Sequence, residues 1–200
     1  MTRAMEAPTD LWLMRPADTA WEADRRLRGS TDLPATEDSL RELRSTVAAL
    51  DEGPEVLYHA PDEAAAESAR VVASRFACGC RPVPELRDPD LGLLEGLRME
   101  DFERRFESRA FEWADSPLTV EPPEGEPFAD ARARLLDAFA AILARHEGGR
   151  VGLVLHPFAL ACVRDALARG DGRALWARVD GRAWCTRHAL PAGSAALLGD

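Results

Sequence analysis

The 200-residue chain contains no lysine: all 25 basic residues are arginine, set against 35 acidic ones for a net charge of −10. That balance excludes broad electrostatic attraction to nucleic acid or to an anionic membrane, so an anionic ligand would need a local cluster of cations. Long apolar runs are missing too. Nothing approaches the roughly 18 consecutive apolar residues of a membrane span, and Met1 to Asp10 has neither the basic start nor the apolar centre of a signal peptide. A cytoplasmic protein is expected. Cysteine is scarce, at Cys78, Cys80, Cys162 and Cys185, and without an export signal these read as reduced thiols. Cys78 and Cys80 have no matching second pair, so no structural zinc site is expected. Internal repeats and low-complexity linkers are absent. A hydrophobic content of 46% fills one sizeable core but not two, which predicts a loose lead-in over 1–10 and a single domain over 11–200.

Within that domain, apolar runs of strand length alternate with helical periodicity. Leu11 to Met14, Val56 to Tyr58, Arg81 to Leu86 and Val151 to Leu155 read as strands. Leu40, Leu43, Val47 and Leu50 define a helix with Thr36 or Asp38 as its N-cap. Ala65, Ala69, Val72 and Phe76 define another, with Pro61 in its first turn. Met99, Phe102 and Phe106 mark a short amphipathic helix, Phe128 to His146 a long one, and Ala159 to Arg169 a further one. Arg87 to Gly96 is loop, and Ser116 to Pro127, with four prolines, is an ordered or semi-ordered excursion. Ala183 to Leu190 and Ala195 to Leu198 suggest a terminal hairpin. The alternation predicts an α/β fold, a single-domain layered sheet, mostly parallel and flanked by helices.

The strand Leu11 to Met14 runs into Arg15, Pro16, Ala17, Asp18 and Thr19, then Ala20, Trp21 and Glu22. This stretch resembles the first strand and signature loop of the histidine phosphatase superfamily, the phosphoglycerate mutase-like proteins, whose loop reads Arg-His-Gly-Glu-Thr. Further stretches resemble the family in the same order: Arg28 to Thr36 (RGSTDLPAT), His59 to Ala69 (HAPDEAAAESA), Leu86 to Gly96, Pro123 to Asp130 (PEGEPFAD) and Val154 to Pro157. The resemblance spans nearly the whole chain and implies a phosphoglycerate mutase-like fold.

In that family the loop histidine attacks a phosphoryl group, two arginines and a second histidine hold the phosphate oxygens, and an acidic residue protonates the leaving group. Carried over, Arg15 keeps the first arginine and His156 the second histidine. The nucleophile falls on Pro16, the second arginine on Ala64, and Asp88 stands where the family commonly has a glutamate. Proline offers neither lone pair nor proton, so no phosphohistidine can form there. Ala64 removes a fixed positive fork. Ala17 and Pro157 replace glycines that let the backbone approach phosphate.

The resemblance implies that Arg15, Asp18, His59, Asp88 and His156 lie near one cleft, with His59 at the place of a small hydroxyl residue. Two outcomes are open. Two imidazoles and two carboxylates form a rebuilt acid–base or metal site, or Arg15 pairs with Asp18 or Asp88 and the histidines are satisfied polar residues in a relic cleft. The second is preferred, with no metal and no cofactor expected. The resulting expectation is a pseudoenzyme that binds a protein partner or small-molecule ligand through Arg15, Asp18, His59 and His156, with nucleic acid and membrane excluded. The family resemblance makes a homodimer a reasonable assembly. The alternative is an enzyme of altered chemistry using His156, Asp88 and Asp18, with or without His59 and a metal; a third reading is residual hydrolysis by water activated by Asp88 or His156, with phosphate held by Arg15 alone. Cys162 reads as a small core residue, with a thiol nucleophile near His156 as the alternative. Trp113, Trp176 and Trp184 read as core aromatics or as the lining of a ligand or partner surface.

Overall fold

Every side chain from Leu11 to Met14 is buried, which requires a strand covered on both faces, as in the middle of a largely parallel sheet. In the computed structural model, which describes residues 7–173, 175–179 and 184–197, that strand is β1 (Thr9–Met14). It is followed by α1 (Ala20–Ala23), α2 (Glu37–Ala48), β2 (Val56–His59), α3 (Glu63–Phe76), β3 (Gly79–Pro82), α4 (Met99–Arg105), α5 (Glu107–Asp115), α6 (Phe128–Arg145), β4 (Arg150–Val154), α7 (Pro157–Leu167) and β5 (Cys185–Leu190). The sheet order is β3-β2-β4-β1-β5. The first four strands are parallel and β5 is antiparallel to β1.

Alternation along β1 splits the core in two. Leu11 and Leu13 pack with Phe128, Leu135 and Phe139 of α6 and Leu160 of α7. Trp12 and Met14 face the other way, into Leu40, Leu43 and Val47 of α2 and Val72 of α3. Phe139 is wholly buried, and Phe139→Ala is expected to cost about 3–5 kcal/mol through lost burial and a residual cavity. Urea unfolding should show this as a lower midpoint at unchanged slope.

Register decides where the chemistry collects. Met14 is opposite Val154 and Val154 is opposite His59, so three strands end level. The segments starting at Arg15, Ala60 and Leu155 therefore leave the sheet at one rim, where open α/β folds keep their sites.

Several expected boundaries shift. β1 begins at Thr9, inside the expected lead-in, because Asp10 already pairs with Arg150 and Ala189; residues 1–6 lie outside the described residues. The third strand covers Gly79–Pro82, not Arg81–Leu86, and Pro84–Leu86 is a 3-10 turn, since Pro82 and Pro84 carry no N–H for a ladder. Pro61 precedes the cap of α3 instead of entering its first turn. The cap is Asp62, whose side chain accepts from the Ala65 N–H. Helix α7 starts at Pro157, two residues early, with proline in the first turn where its missing N–H is harmless. The terminal hairpin is not formed: β5 pairs with β1 along its whole length, and Ser194–Leu197 is a 3-10 turn. The open edge of β1 offers β5 a longer ladder than the short segment after Pro191 could. Ala183 and Leu198 of that expectation lie outside the described residues. No helix among the described residues is long and apolar enough to cross a membrane.

Candidate functional site

The loop after β1 has no backbone donor to spare. The Arg15 N–H donates to the Trp184 carbonyl at 3.0 Å, and Pro16 has none. The Ala17 N–H donates to Ser68 Oγ at 2.8 Å, the Asp18 N–H to Ser39 Oγ at 2.7 Å and the Thr19 N–H to Glu22 Oε2 at 2.7 Å. The last closes a capping box on α1, with Thr19 Oγ1 accepting from Trp21 N–H. Such a turn would form an anion nest if its N–H groups were free. Here α2, α3 and the loop itself use them.

At the end of β4, His156 is 1% exposed. Its Nε2–H donates to Asp62 Oδ1 at 2.8 Å. Its Nδ1 lies 3.9 Å from Glu22 Oε1 and has no hydrogen-bond partner among the described residues. Glu22 Oε1 is also 3.3 Å from Nε of the buried Arg28, whose Nη1 donates to the Thr31 carbonyl at 3.1 Å. Burial works against ionisation of Asp62, but the His156 hydrogen bond and charge, the Arg28 charge and the Ala65 N–H outweigh it and hold the carboxyl down at about 2. The result is a chain of neighbouring acidic and basic side chains, Asp62–His156–Glu22–Arg28, buried except at the half-buried Glu22.

Asp88 occupies the N-terminus of α7. Its Oδ1 accepts from Ala159 N–H at 2.9 Å and its Oδ2 from Phe158 N–H at 3.3 Å. A helix N-terminus is a natural anion site, and this one is already filled by a side chain of the protein. Burial pushes the Asp88 carboxyl up, against the charges of His156 and Arg28 and the two N–H groups. The Asp88 loop is clamped by Arg134 of α6, which pairs with Glu126 and donates to the carbonyls of Glu85, Arg87 and Asp88. At Gly92 (φ +52°) a Cβ would stand 2.2 Å from the Pro123 carbonyl oxygen, so only glycine lets this loop lie against the proline-rich excursion.

The expected site residues thus separate into groups. Asp88 and His156 share one buried neighbourhood. Arg15 and Asp18, 3.9 Å apart at Nη2 and Oδ1, line a different cavity of about 270 Å3 with Ser39, Glu42 and Trp184. His59 is buried and its Nδ1–H donates to the Ala60 carbonyl at 2.7 Å. Burial lowers its pKa, offset in part by that bond. Asp62, Glu22 and Arg28 were not expected. A carboxylate between Pro61 and the start of α3 was the visible signal for Asp62. Cys162 is buried and its thiol lies far above the ordinary range through desolvation. It is a core residue. Trp113 and Trp176 stack at 5.5 Å and line a cavity of about 410 Å3 beside Asp88.

The model of the histidine phosphatase superfamily (branch 1) matches residues 11–187. The chain belongs to the histidine phosphatase superfamily. It is 29% identical over 158 residues to the probable phosphoglycerate mutase GpmB of Enterobacter sp., covering 76% of this chain and 72% of that one. Among solved structures it is similar to Bacillus stearothermophilus YhfR, with a TM-score of 0.74, 27% identity and 84% of each chain covered. The mycobacterial glucosyl-3-phosphoglycerate phosphatase, at 21% identity and TM-score 0.73 over 85% of this chain and 84% of that one, shares the fold. Within this histidine phosphatase fold, no three His, Cys, Asp or Glu side chains among the described residues stand together as a metal-ligand set.

Proposed function

We propose that this protein is a non-catalytic histidine phosphatase relative that forms no phosphohistidine and serves as an accessory protein binding a small ligand or a partner protein. One observation carries the reading: the backbone N–H groups around the cleft and His156 Nε2 already meet a carboxylate, hydroxyl or carbonyl of the protein itself, and the Arg15 guanidinium lies in the other cavity, 3.9 Å from Asp18. The loop N–H groups go to Trp184, Ser68, Ser39 and Glu22. The α7 N-terminus goes to Asp88, and His156 goes to Asp62. At α3 the Glu63 N–H donates to Asp32 Oδ1 at 2.7 Å and the Ala65 N–H to Asp62. With Pro16 and Ala64 removing the nucleophile and a guanidinium, a phosphate dianion would have to displace internal carboxylates and then sit beside them. Coulomb repulsion in so buried a place opposes that strongly.

Altered chemistry has one observation in its favour, the unpartnered Nδ1 of a histidine held by a carboxylate, which is a general-base arrangement. Against it, His156 is 1% exposed, Asp18 lines another cavity and His59 is tied to its own backbone. The binding role is the better supported reading.

The test is turnover of p-nitrophenyl phosphate together with the thermal shift in vanadate. No release above a blank is expected, and millimolar vanadate should raise Tm by less than about 1 °C, because a ligand that does not bind the native state cannot stabilise it. Turnover that vanishes in His156→Ala would overturn the proposal.

A further inference from the structure

Between the Arg26–Gly29 loop, α4, α5 and the start of α7 lies the cavity of about 410 Å3. Its wall is aromatic. Trp113 and Trp176 stack nearly parallel, 7° apart, and Trp113 packs edge-on against Phe102 and Phe128 at 5.6 and 5.0 Å. The Trp176 indole N–H donates to the Trp113 carbonyl, so the stack is fixed before any ligand arrives. A preset wall loses little side-chain freedom on binding. The volume falls in the range of about 300–1,000 Å3 typical of small-molecule sites.

The polar groups around it are unbalanced in what they can offer. Arg26 and Arg28 line the cavity, but both guanidiniums are committed. Arg26 donates to the Gly96 carbonyl at 2.8 Å and to Asp24 at 3.4 Å, and Arg28 to the Thr31 carbonyl while pairing with Glu22. Three acidic residues line the same space, Glu22, Asp88 and Glu103, of which Glu22 is taken by Arg28 and the Thr19 N–H and Asp88 by the N–H groups of Phe158 and Ala159. Glu103 is exposed and makes no ion pair or hydrogen bond among the described residues. A ligand entering here meets aromatic faces and the free Glu103 carboxylate, with no uncommitted guanidinium among the described lining residues. Aromatic faces are negative and attract ammonium groups.

We propose that this cavity binds an amphipathic organic cation, an amine with an apolar body of one or two rings, its rings against the Trp113–Trp176 wall and its ammonium toward Glu103. This rests on the preceding reading that the cleft no longer takes phosphate.

Three probes of one shape and different head charge test it: 1-naphthylmethylamine, 1-naphthalenemethanol and 1-naphthyl phosphate, each titrated calorimetrically into the full chain at pH 7. The amine should bind about tenfold or more tighter than the alcohol, and the phosphate ester should give no heat of binding. Ala114, exposed at the cavity wall, can be enlarged without touching the core. Ala114→Phe should weaken the amine at least about tenfold at unchanged Tm, and Glu103→Gln should weaken the amine but not the alcohol. Equal affinity for amine and alcohol would overturn the cationic assignment. No binding of any probe would overturn the inference while leaving the phosphatase-negative reading to its own assay. Tightest binding by the phosphate ester would overturn both.

Discussion

Replacing Asp62 with alanine is expected to lower the unfolding free energy at pH 7 by about 3–5 kcal/mol, the cost of removing one partner of a buried ion pair. Asp62 is 7% exposed and His156 1%, so water cannot take over the lost contact. The Nε2–H of His156 would lose its acceptor and, with Nδ1 already unpartnered, neither ring nitrogen would keep a hydrogen bond. The same carboxylate caps α3 through the Ala65 N–H at 3.1 Å, and an N-cap contributes about 1 kcal/mol of that total. Asp62→Asn keeps a capping oxygen and should fall between the two proteins. The effect has a pH signature. The folded-state pKa of about 2 lies below the ordinary 3.8, so the pairing stabilises fully above pH ~4 and is lost as pH falls towards 2, an amount of about 2 kcal/mol by linkage. Asp88 acts in the opposite sense. Its raised carboxyl favours folding at low pH and loses that contribution as pH rises through its folded-state pKa. Because Asp88 is present in both proteins, the difference between wild type and Asp62→Ala isolates Asp62. Urea unfolding over this range should show that difference shrinking in acid. A difference that stays constant below pH 3 would mean the pair is not what holds His156.

Asp62 also shows how far one-dimensional reading reaches in this chain. The strands around Leu11, Val56 and Val151 and the helices carrying Leu40 and Phe139 are legible because each buries a periodic apolar face. Helix α5 has no fully buried residue and reaches the core only through the partly buried Ala110 and Trp113, too short an apolar face to stand out in the sequence. The cap of α3 follows a local rule, but its second partner is 94 residues away and meets it only because β2 and β4 pair in the register that sets His59 against Val154. The placing of Arg15 and Asp18 in a cavity of their own was equally hidden. Strand ends place backbones side by side at a rim, whereas the direction taken by the next side chains depends on contacts such as Arg15 N–H with the Trp184 carbonyl and Ala17 N–H with Ser68. Those partners lie on elements far along the chain, and a motif read residue by residue carries no information about them.

Restoring the two lost family residues is expected to fail, for separate reasons at each position. Ala64 is 0% exposed, and its carbonyl accepts from Ser68 Oγ, which in turn holds the Ala17 N–H. An arginine there must overpack this corner, at about 1–3 kcal/mol, and bury a guanidinium near Asp62, a buried carboxylate that already belongs to His156. Uncompensated burial of charge adds several kcal/mol. A total near 4 kcal/mol is a large share of the roughly 5–15 kcal/mol that stabilises a domain, and in a chain of this length should lower Tm by about 10 °C. Pro16→His is milder for folding but supplies only the nucleophile. The loop donors remain with Ser68, Ser39 and Glu22, and the ionised Asp62 stays beside His156, where it would repel an incoming phosphoryl group. Since loss of a single anion-stabilising donor alone slows such chemistry by about 10²- to 10³-fold, Pro16→His should give no phosphohistidine from labelled acetyl phosphate. Pro16→His/Ala64→Arg should behave likewise while carrying the lowered Tm. A double variant that melts like the wild type and takes up label would show that the corner around Ala64 can open and that the internal carboxylates do not exclude phosphate.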